Sequence, residues 1–263
     1  GGRHLVITGH PGIGKTVALA HLATIAANRD PEMGELSDAI PFLLHAADLN
    51  LPLKNPNDVL NPIIDIASEN APMFDLARLP NFVRGAFQTG RALFILDGLD
   101  ELPPAELQTT VEYLAALFKL YPNAQTVTSG CPEYLGGLIN LGFAPLALMT
   151  WNIPQQERFL EKWGNLWERY VSVETWVQSG PEQVNSLLLN TWLSDGNTNL
   201  TPLELTLKTW GAYAGDGRGD SPLDALETHL RRLSPTDIPV AALETIALQV
   251  SLTSQPVFDS RTA

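Results

Sequence analysis

Apolar residues in the first 150 positions fall into short, largely continuous runs separated by longer segments of helical spacing. The runs occupy residues 5–7, 40–44, 92–96, 124–129 and 143–150. Runs without regular polar alternation are typical of parallel strands covered on both faces, and the segments between them predict helices. The pattern therefore predicts a three-layer α/β domain over residues 1–150, with a five-stranded parallel sheet.

From residue 151 onward the strand pattern gives way to helical spacing. Phe159, Leu160, Trp163, Leu166 and Trp167 recur at helical intervals. Such a stripe predicts a helix face packed in a core rather than a ligand-binding surface. The glycine-rich residues 214–220, AGDGRGD, predict a linker. We therefore divide this part into an all-helical region, 151–214, and a further helical segment, 215–263.

Residues 9–16, GHPGIGKT, match the pattern G-x-x-x-x-G-K-[ST] at every fixed position and stand between the first predicted strand and the first predicted helix. In this motif a glycine-rich turn points backbone N–H groups at phosphate oxygens, and the amino end of the helix adds positive potential. Lys15 would contact the outer phosphates, and the Thr16 hydroxyl the accompanying Mg²⁺. An ordinary glycine turn is the alternative, and the flanking strand and helix argue against it. The predicted nucleotide-binding residues are Gly9, His10, Pro11, Gly12, Ile13, Gly14, Lys15, Thr16 and Val17.

The second informative stretch is RALFILDGLDE, residues 91–101. In it a continuous apolar run, residues 92–96, is followed by three carboxylates. Ligands of open α/β sheets bind beyond the carboxyl ends of the strands, so these side chains should lie beside the phosphate loop. Asp97 is the predicted metal ligand together with Thr16, and Asp100 and Glu101 are the predicted catalytic residues, sharing the role of base toward the attacking water. The alternative is that they only form a turn and cap the next helix.

The two stretches together resemble a known family. A GxPGxGKT loop followed roughly eighty residues later by an apolar strand and DGLDE is similar to the NACHT branch of the STAND class of signalling ATPases. The resemblance implies that Lys15 and Thr16 are phosphate and magnesium ligands, that Asp97 is the Walker B acid, and that Asp100 and Glu101 are catalytic. It also implies a P-loop NTPase core, a helical lid over residues 151–214, and a segment, 215–263, that could begin a winged helix.

A third stretch, NLTPLELTLKTW over residues 199–210, predicts a strong helix start. Thr201 fits an N-cap, Pro202 the first helical position and Glu204 the third. The family carries a proline in such a helix start, within the lid that closes on the adenine. The resemblance therefore implies that Pro202 contacts the base, although the cap explains the residue without a ligand.

The strand predicted at 124–129 departs from the family pattern. The family usually ends this strand with Thr-Ser-Arg-Pro, whose arginine senses the terminal phosphate, whereas residues 128–132 read TSGCP. Thr128 and Ser129 could hydrogen-bond a phosphate or the attacking water, but they carry no charge. Because an arginine at this position stabilises transition-state charge, we expect slow or absent hydrolysis with nucleotide binding retained.

The sequence thus favours an ATP/ADP-binding regulatory switch that uses Mg²⁺ and is at most a slow ATPase. A steady-turnover P-loop ATPase and a degenerate, non-hydrolysing interaction scaffold are the alternatives. The preference for an adenine nucleotide rests on the resemblance and on the absence of a guanine-reading Asn/Thr-Lys-x-Asp motif. A homo-oligomer of the full-length protein is implied by the family alone.

The amino-acid composition argues against several kinds of binding partner. A net charge of −13 with 17% charged residues makes nucleic acid and anionic membranes unexpected as direct partners. The single cysteine, Cys131, excludes an internal disulfide and agrees with a cytoplasmic location. No apolar run approaches the ~20 residues that cross a bilayer. Because the phosphate loop comes so early, we expect the chain to be a domain of a longer protein.

Overall fold

The computed structural model describes residues 3–55, 57–69, 71–132, 135–171, 200–217, 219, 221–233 and 240–253. Within these ranges the chain forms two compact units. The first contains the described residues up to His10, from Lys15 to Leu148, and from Ile246 onward. The second contains Pro11–Gly14 and the described residues from Met149 to Thr245. The domain divisions expected at residues 150 and 214 stay predictions.

The first unit alternates strands with helices. Its strands are β1 (His4–Thr8), β2 (Ile40–His45), β3 (Ala92–Asp97), β4 (Gln125–Gly130) and β5 (Phe143–Ala147). Its described helices include α1 (Lys15–Ala27), α2 (Asn61–Glu69), α3 (Leu79–Gln88), α4 (Pro104–Leu120) and α5 (Gly136–Asn140). The five predicted strands are confirmed, although β5 ends at Ala147 rather than at residue 150. Helix α5 was not predicted, because five residues are too few to show a helical period.

The strands form one parallel sheet in the order β2-β3-β4-β1-β5. Its register sets His45 opposite Asp97, and Leu96 opposite Thr128. Because all strands run the same way, their carboxyl ends lie along one edge. The residues that end β2, β3 and β4 are therefore brought together although they are distant in sequence.

The burial of β3 explains its uninterrupted apolar sequence. All six residues of the strand are buried. Leu93 and Ile95 pack with Leu19 of α1 in one cluster. Phe94 and Leu96 belong to a second cluster, to which α2, α3 and α4 contribute. Successive strand residues point to opposite faces, so β3 lies between two helical layers and the predicted three-layer architecture is confirmed.

The second unit is helical in its described part, which confirms the change of pattern after residue 150. It contains α6 (Ile153–Tyr170), α7 (Pro202–Ala214) and α8 (Pro222–Leu233). The last described helix is α9 (Val240–Thr253). Leu160, Leu200 and Leu205 form the buried centre of the unit. In the described part of the chain no helix combines the length and the apolar character that a membrane span needs.

Aromatic side chains extend this small core. The ring centroid of Trp163 lies 6.5 Å from that of Trp167 and 6.4 Å from that of Trp210. Tyr213 of α7 lies 5.6 Å from Trp167. The stripe along α6 therefore packs in a core, as predicted, and its partner is α7. Leu166 is the exception, because it is exposed.

Candidate nucleotide-binding site

The glycine-rich loop has the predicted context. β1 ends at Thr8 and α1 begins at Lys15, so the loop leads from a strand directly into a helix. Gly12 has a φ of +79°, a left-handed conformation that favours glycine. The first turn of α1 carries no acidic side chain that would compete with an anion for its free N–H groups. Loop and helix start thus present the donors that a phosphate group requires.

Lys15 is held by two oxygen groups in the first unit. Its Nζ donates to the carbonyl oxygen of Gly9 at 2.8 Å and lies 3.1 Å from Oδ2 of Asp100. Its side chain is only 10% exposed, and that of Asp100 is 19% exposed. A partly buried ammonium group needs such partners, because desolvation penalises an unpaired charge. Asp100 is therefore the counter-ion of Lys15 in this structure.

Asp97 ends β3 as a buried carboxylate, 8% exposed. Its Oδ1 accepts hydrogen bonds from Oγ of Ser129 at 2.6 Å and from the backbone N–H of Gly98 at 2.9 Å. The same oxygen accepts both bonds, and among the described residues no group donates a hydrogen bond to Oδ2. The carboxylate is thus oriented through one oxygen, which suits the other to bind a cation.

The two carboxylates that follow occupy different surroundings. Residues Leu99–Glu101 form a single 3-10 turn, which sends successive side chains in different directions. Asp100 lies at Lys15, whereas Oε2 of Glu101 lies 3.4 Å from Nε2 of His45. Glu101 is also much more open to solvent, with 59% of its side chain exposed. The structure therefore distinguishes two residues to which the sequence assigned one shared role.

Gly98 connects Asp97 to this turn and cannot readily be another residue. Its φ is +78°, in the left-handed region. A Cβ atom added to it would overlap the imidazole ring of His45. The missing side chain therefore allows the imidazole of His45 to lie against the backbone between the two acidic positions.

The start of α7 is built as predicted. The Thr201 side chain accepts from the backbone N–H of Glu204, and the Glu204 side chain accepts from the backbone N–H of Thr201, which makes a complete capping box with Pro202 at the first helical position. Within the second unit, the backbone N–H of Leu203 donates to the carbonyl oxygen of Gly12 at 3.1 Å. The amino end of α7 is thus in direct contact with the tip of the glycine-rich loop.

Comparison with known families decides the identity of this arrangement. The sequence profile of the NACHT domain matches residues 3–140, just over half of the chain. The chain belongs to the NACHT family. The matched segment contains the glycine-rich loop, β3 with Asp97 at its end, the two carboxylates that follow it, and β4.

Solved structures that are similar to this NACHT chain share little sequence with it. A structure of Drosophila ORC bound to DNA has a TM-score of 0.48 and 14% identity, covering 90% of this chain and 65% of that one. A katanin structure concerned with self-assembly has a TM-score of 0.47 and 16% identity, covering 90% and 74%. Domain III of the Thermotoga maritima replication initiation protein DnaA has a TM-score of 0.43 and 15% identity, covering 89% and 86%. Similarity at this level indicates nothing about what the chain binds. No curated protein sequence matches it significantly.

The remaining predicted residues of the NACHT loop fall into two groups. His10, Pro11, Thr16 and Val17 are exposed, and Val17 is 72% exposed. Ile13 is buried, so its side chain packs while its backbone remains part of the loop. In the described residues no group of three or more His, Cys, Asp or Glu side chains is placed to hold a metal ion.

Two hydroxyl groups of the correctly predicted strand β4 lie in different surroundings from those that the sequence suggested, and His45 was missed. The hydroxyls of Thr128 and Ser129 are fully buried and donate to β3, at the Leu96 carbonyl and the Asp97 carboxylate. The expectation that they face a phosphate or the attacking water is therefore not supported. His45 was overlooked, because its relation to Glu101 depends on the pairing of β2 with β3. The available signal was a polar residue at the carboxyl end of an apolar strand.

Proposed function

We propose that this NACHT domain is an ATP/ADP-binding regulatory switch of the STAND class, which requires Mg²⁺ and hydrolyses ATP slowly or not at all. The observation that carries the proposal is the position of Lys15. Its ammonium group lies at the start of the glycine-rich loop and beside an acidic residue that follows β3. This combination of loop, lysine and strand-end acids is the arrangement that binds nucleoside triphosphates in P-loop proteins.

The phosphates would be held by Lys15 and by backbone N–H groups of residues 9 to 17. The amino end of α1 supplies partial positive charge there, and its first turn carries no acidic side chain. A triphosphate would bind the Lys15 ammonium group beside Asp100, because the group has three N–H donors and phosphate oxygens are strong acceptors.

Magnesium would be held by the Thr16 hydroxyl and the Asp97 carboxylate. The donor set fits, because Mg²⁺ prefers oxygen ligands and usually combines one or two protein groups with substrate phosphates. The bonds of Ser129 and Gly98 to one oxygen of Asp97 orient the carboxylate for this task. The cation would neutralise phosphate charge when bound.

An adenine base is proposed for two reasons. The sequence lacks the guanine-reading motif. In addition, a proline at such a helix start is what the resemblance to the family implies for a contact with the adenine, and Pro202 stands at the first position of α7. We assign Pro202 an apolar contact with the base.

Slow hydrolysis follows from the end of β4. This strand ends at Gly130, and Cys131 and Pro132 follow it in the chain. The family usually has an arginine before this proline, and here no arginine is present. Without that charge, the negative charge of the transferring phosphoryl group is less stabilised. A long-lived triphosphate state suits a switch better than it suits an enzyme of steady turnover.

In the proposed switch, the bound nucleotide controls the helical lid, residues 151–214, and the segment 215–263 that could begin a winged helix. We further propose a cytoplasmic location and a homo-oligomer of the full-length protein in the triphosphate state. Direct binding to nucleic acid or to a membrane is not part of the proposal, since the chain carries a net charge of −13.

The test is the nucleotide content of the freshly purified protein. The protein is denatured, and the released nucleotide is identified by chromatography. We expect about one ADP or ATP per chain, and Lys15→Ala should weaken binding by roughly 100-fold, since a hydrogen bond to a charged group contributes up to ~3 kcal/mol. Lys119→Ala, which removes an exposed lysine of α4, is the matched control and should leave the content unchanged.

Each rival function has its own outcome in the same experiment. An empty protein that also takes up no added ATP with Mg²⁺ would support the interaction scaffold and contradict the switch. Rapid multiple turnover that is abolished by Lys15→Ala would instead establish a steady ATPase. ATP that stays bound and is converted only over many minutes supports the switch.

A further inference from the structure

His45 lies at the carboxyl edge of the sheet because of the strand register. It is the last residue of β2 and is paired with Asp97 of β3 in the parallel ladder. The rest of β2 is apolar apart from backbone groups, so this imidazole is the first polar side chain that the strand delivers to the edge. Its ring lies over Gly98, where a Cβ atom would overlap it.

One hydrogen bond of the ring favours a particular tautomer. The backbone N–H of Ala47 donates to Nδ1 of His45 at 3.3 Å. A nitrogen that accepts a hydrogen bond carries no proton, so the proton of the neutral ring is on Nε2. Nε2 is the atom that lies 3.4 Å from Oε2 of Glu101. The ring therefore turns Nε2 toward this carboxylate, although the two atoms do not have hydrogen-bond geometry in this structure.

Of the two carboxylates after β3, Glu101 is the one that is suited to act on water, because Asp100 is paired with Lys15. Asp100 is engaged by Lys15 and is mostly buried, whereas Glu101 is largely exposed and has no lysine or arginine partner among the described residues. An exposed glutamate samples many rotamers, and a general base must lie within hydrogen-bond reach of the proton that it takes. Closure of the 3.4 Å gap between Nε2 of His45 and Oε2 of Glu101 to hydrogen-bond distance would restrain this side chain and leave Oε1 for a water molecule.

We propose that His45 is a positioning residue for Glu101, which acts as the general base in the slow hydrolysis of the bound triphosphate. This inference rests on the proposed function and names the residues of its chemical step. The oxygen of water forms a bond to the γ-phosphorus, and the bond between that phosphorus and the β–γ bridging oxygen breaks. Glu101 takes a proton from the water, and the electron pair of the broken bond leaves with ADP.

A purely structural role for His45 makes the opposite prediction. Nδ1 of His45 also caps the short 3-10 turn Ala46–Asp48. If this were its only function, a side chain that preserved the cap would be sufficient. Two substitutions separate the two roles, since asparagine resembles the Nδ1 side of histidine and glutamine reaches as far as the Nε2 side.

The experiment compares His45→Asn with His45→Gln in single-turnover hydrolysis of γ-labelled ATP. His45→Asn keeps an acceptor for Ala47 but cannot reach Glu101, so we expect the rate to fall on the order of 10-fold, part of the 10²–10⁴-fold that a general base contributes. His45→Gln retains a donor toward Glu101 and should stay within about threefold of the unaltered chain. The affinity for ATP should be unchanged in both variants, because neither removes a phosphate ligand.

A double-substitution cycle measures whether the effects of His45 and Glu101 on the hydrolysis rate are coupled, which a general effect on folding would not produce. In a Glu101→Gln background, His45→Asn should have no further effect on the rate, because the base that it positions is absent. Independent effects of the two substitutions would overturn the proposal. Loss of rate in His45→Gln but not in His45→Asn would overturn it as well, and would establish the cap as the function of His45.

NMR gives a readout that does not depend on hydrolysis. Long-range ¹H–¹⁵N correlations of the imidazole should show His45 with its proton on Nε2, and Glu101→Gln should shift the Nε2 signal. A proton on Nδ1 would overturn the proposal. ATP that is bound but never hydrolysed by the unaltered chain would also overturn it while leaving the switch intact, whereas a chain that binds no nucleotide would overturn both.

Discussion

The carboxyl edge of the sheet and the amino end of α7 are built in different ways. At the sheet edge, His45, Asp97 and Ser129 are brought together by strand register, although they come from three separate parts of the chain. At the start of α7, Thr201, Pro202 and Glu204 are arranged by a capping box within four residues of sequence. The first arrangement needs the whole sheet, whereas the second could form in an isolated helix.

This difference affects how a functional residue can be recognised. Contacts at the sheet edge, such as that of Glu101 with His45, join distant parts of the chain, so no local sequence rule explains them. Pro202 has a sufficient local reason, because proline is favoured at the first position of a helix. Evidence for its contact with a base must therefore come from a ligand and not from the helix.

The largest expected effect in this comparison comes from Gly98→Ala at the sheet edge. The left-handed φ of +78° should cost about 1–2 kcal/mol with a side chain present. The added Cβ would also force the His45 ring away from Glu101, so we expect ATP hydrolysis to slow as well. Chemical denaturation measures the first effect, and single-turnover kinetics the second.

Gly85→Ala is the matched control for that substitution. Gly85 lies in α3, has no positive φ, and has open space where a Cβ would be added. Alanine should therefore stabilise the chain by about 0.5–1 kcal/mol. Equal stability changes in the two glycine variants would contradict the importance of the Gly98 conformation.

The start of α7 should respond to two substitutions in different ways. Thr201→Ala breaks the capping box and should lower the free energy of unfolding by about 1 kcal/mol. Pro202→Ala keeps the box, but if proline contacts adenine it should weaken ATP binding by roughly fivefold, the equivalent of ~1 kcal/mol of lost apolar contact.

Inorganic triphosphate is the control ligand for Pro202→Ala, because it has phosphates but no base. Its affinity should be the same before and after the substitution, as measured by calorimetry. An equal loss for both ligands would indicate that Pro202 affects the loop through the contact of Leu203 with Gly12. No loss for either ligand would show that the proline serves the cap alone.

The smallest expected effect concerns His4, on β1. Burial, and secondarily the charge of Arg3, lower the pKa of His4 below its ordinary value of 6.5. Its ring stacks on Phe118 with the centroids 3.9 Å apart, and Nδ1 is buried without a partner. Because the unfolded chain binds this proton more readily, stability should be fully present above pH 6.5 and decrease as the pH falls below it.

Thermal unfolding between pH 8 and pH 5 tests this expectation. His4→Phe should remove part of the decrease in the unfolding temperature below pH 6.5, because an uncharged ring replaces the imidazole. His21→Gln, which removes an exposed histidine of α1, is the control and should leave the profile unchanged. A profile that is identical in all three proteins would contradict the assignment to His4.

Much of the fold could be predicted from the sequence because buried parallel strands leave a direct signature. The continuous apolar run of β3 and the loop before α1 predicted the sheet, the strand–loop–helix context of the glycine-rich motif and the position of Asp97 at the end of β3. The capping box of α7 was equally visible, since all of its members lie within four residues. These are features whose physical cause acts between neighbours in the chain.

The pairing of Lys15 with Asp100, of Glu101 with His45, and of Asp97 with Ser129 could not be predicted in this way. Each pair joins residues that are at least 32 positions apart. Local composition determines that β3 is buried and that a lysine ends the loop, because burial and turn formation depend on nearby side chains. Which carboxylate pairs with the lysine and which one stays exposed depends on strand order and register, because the chain must close the sheet before these groups come within a few ångströms of each other.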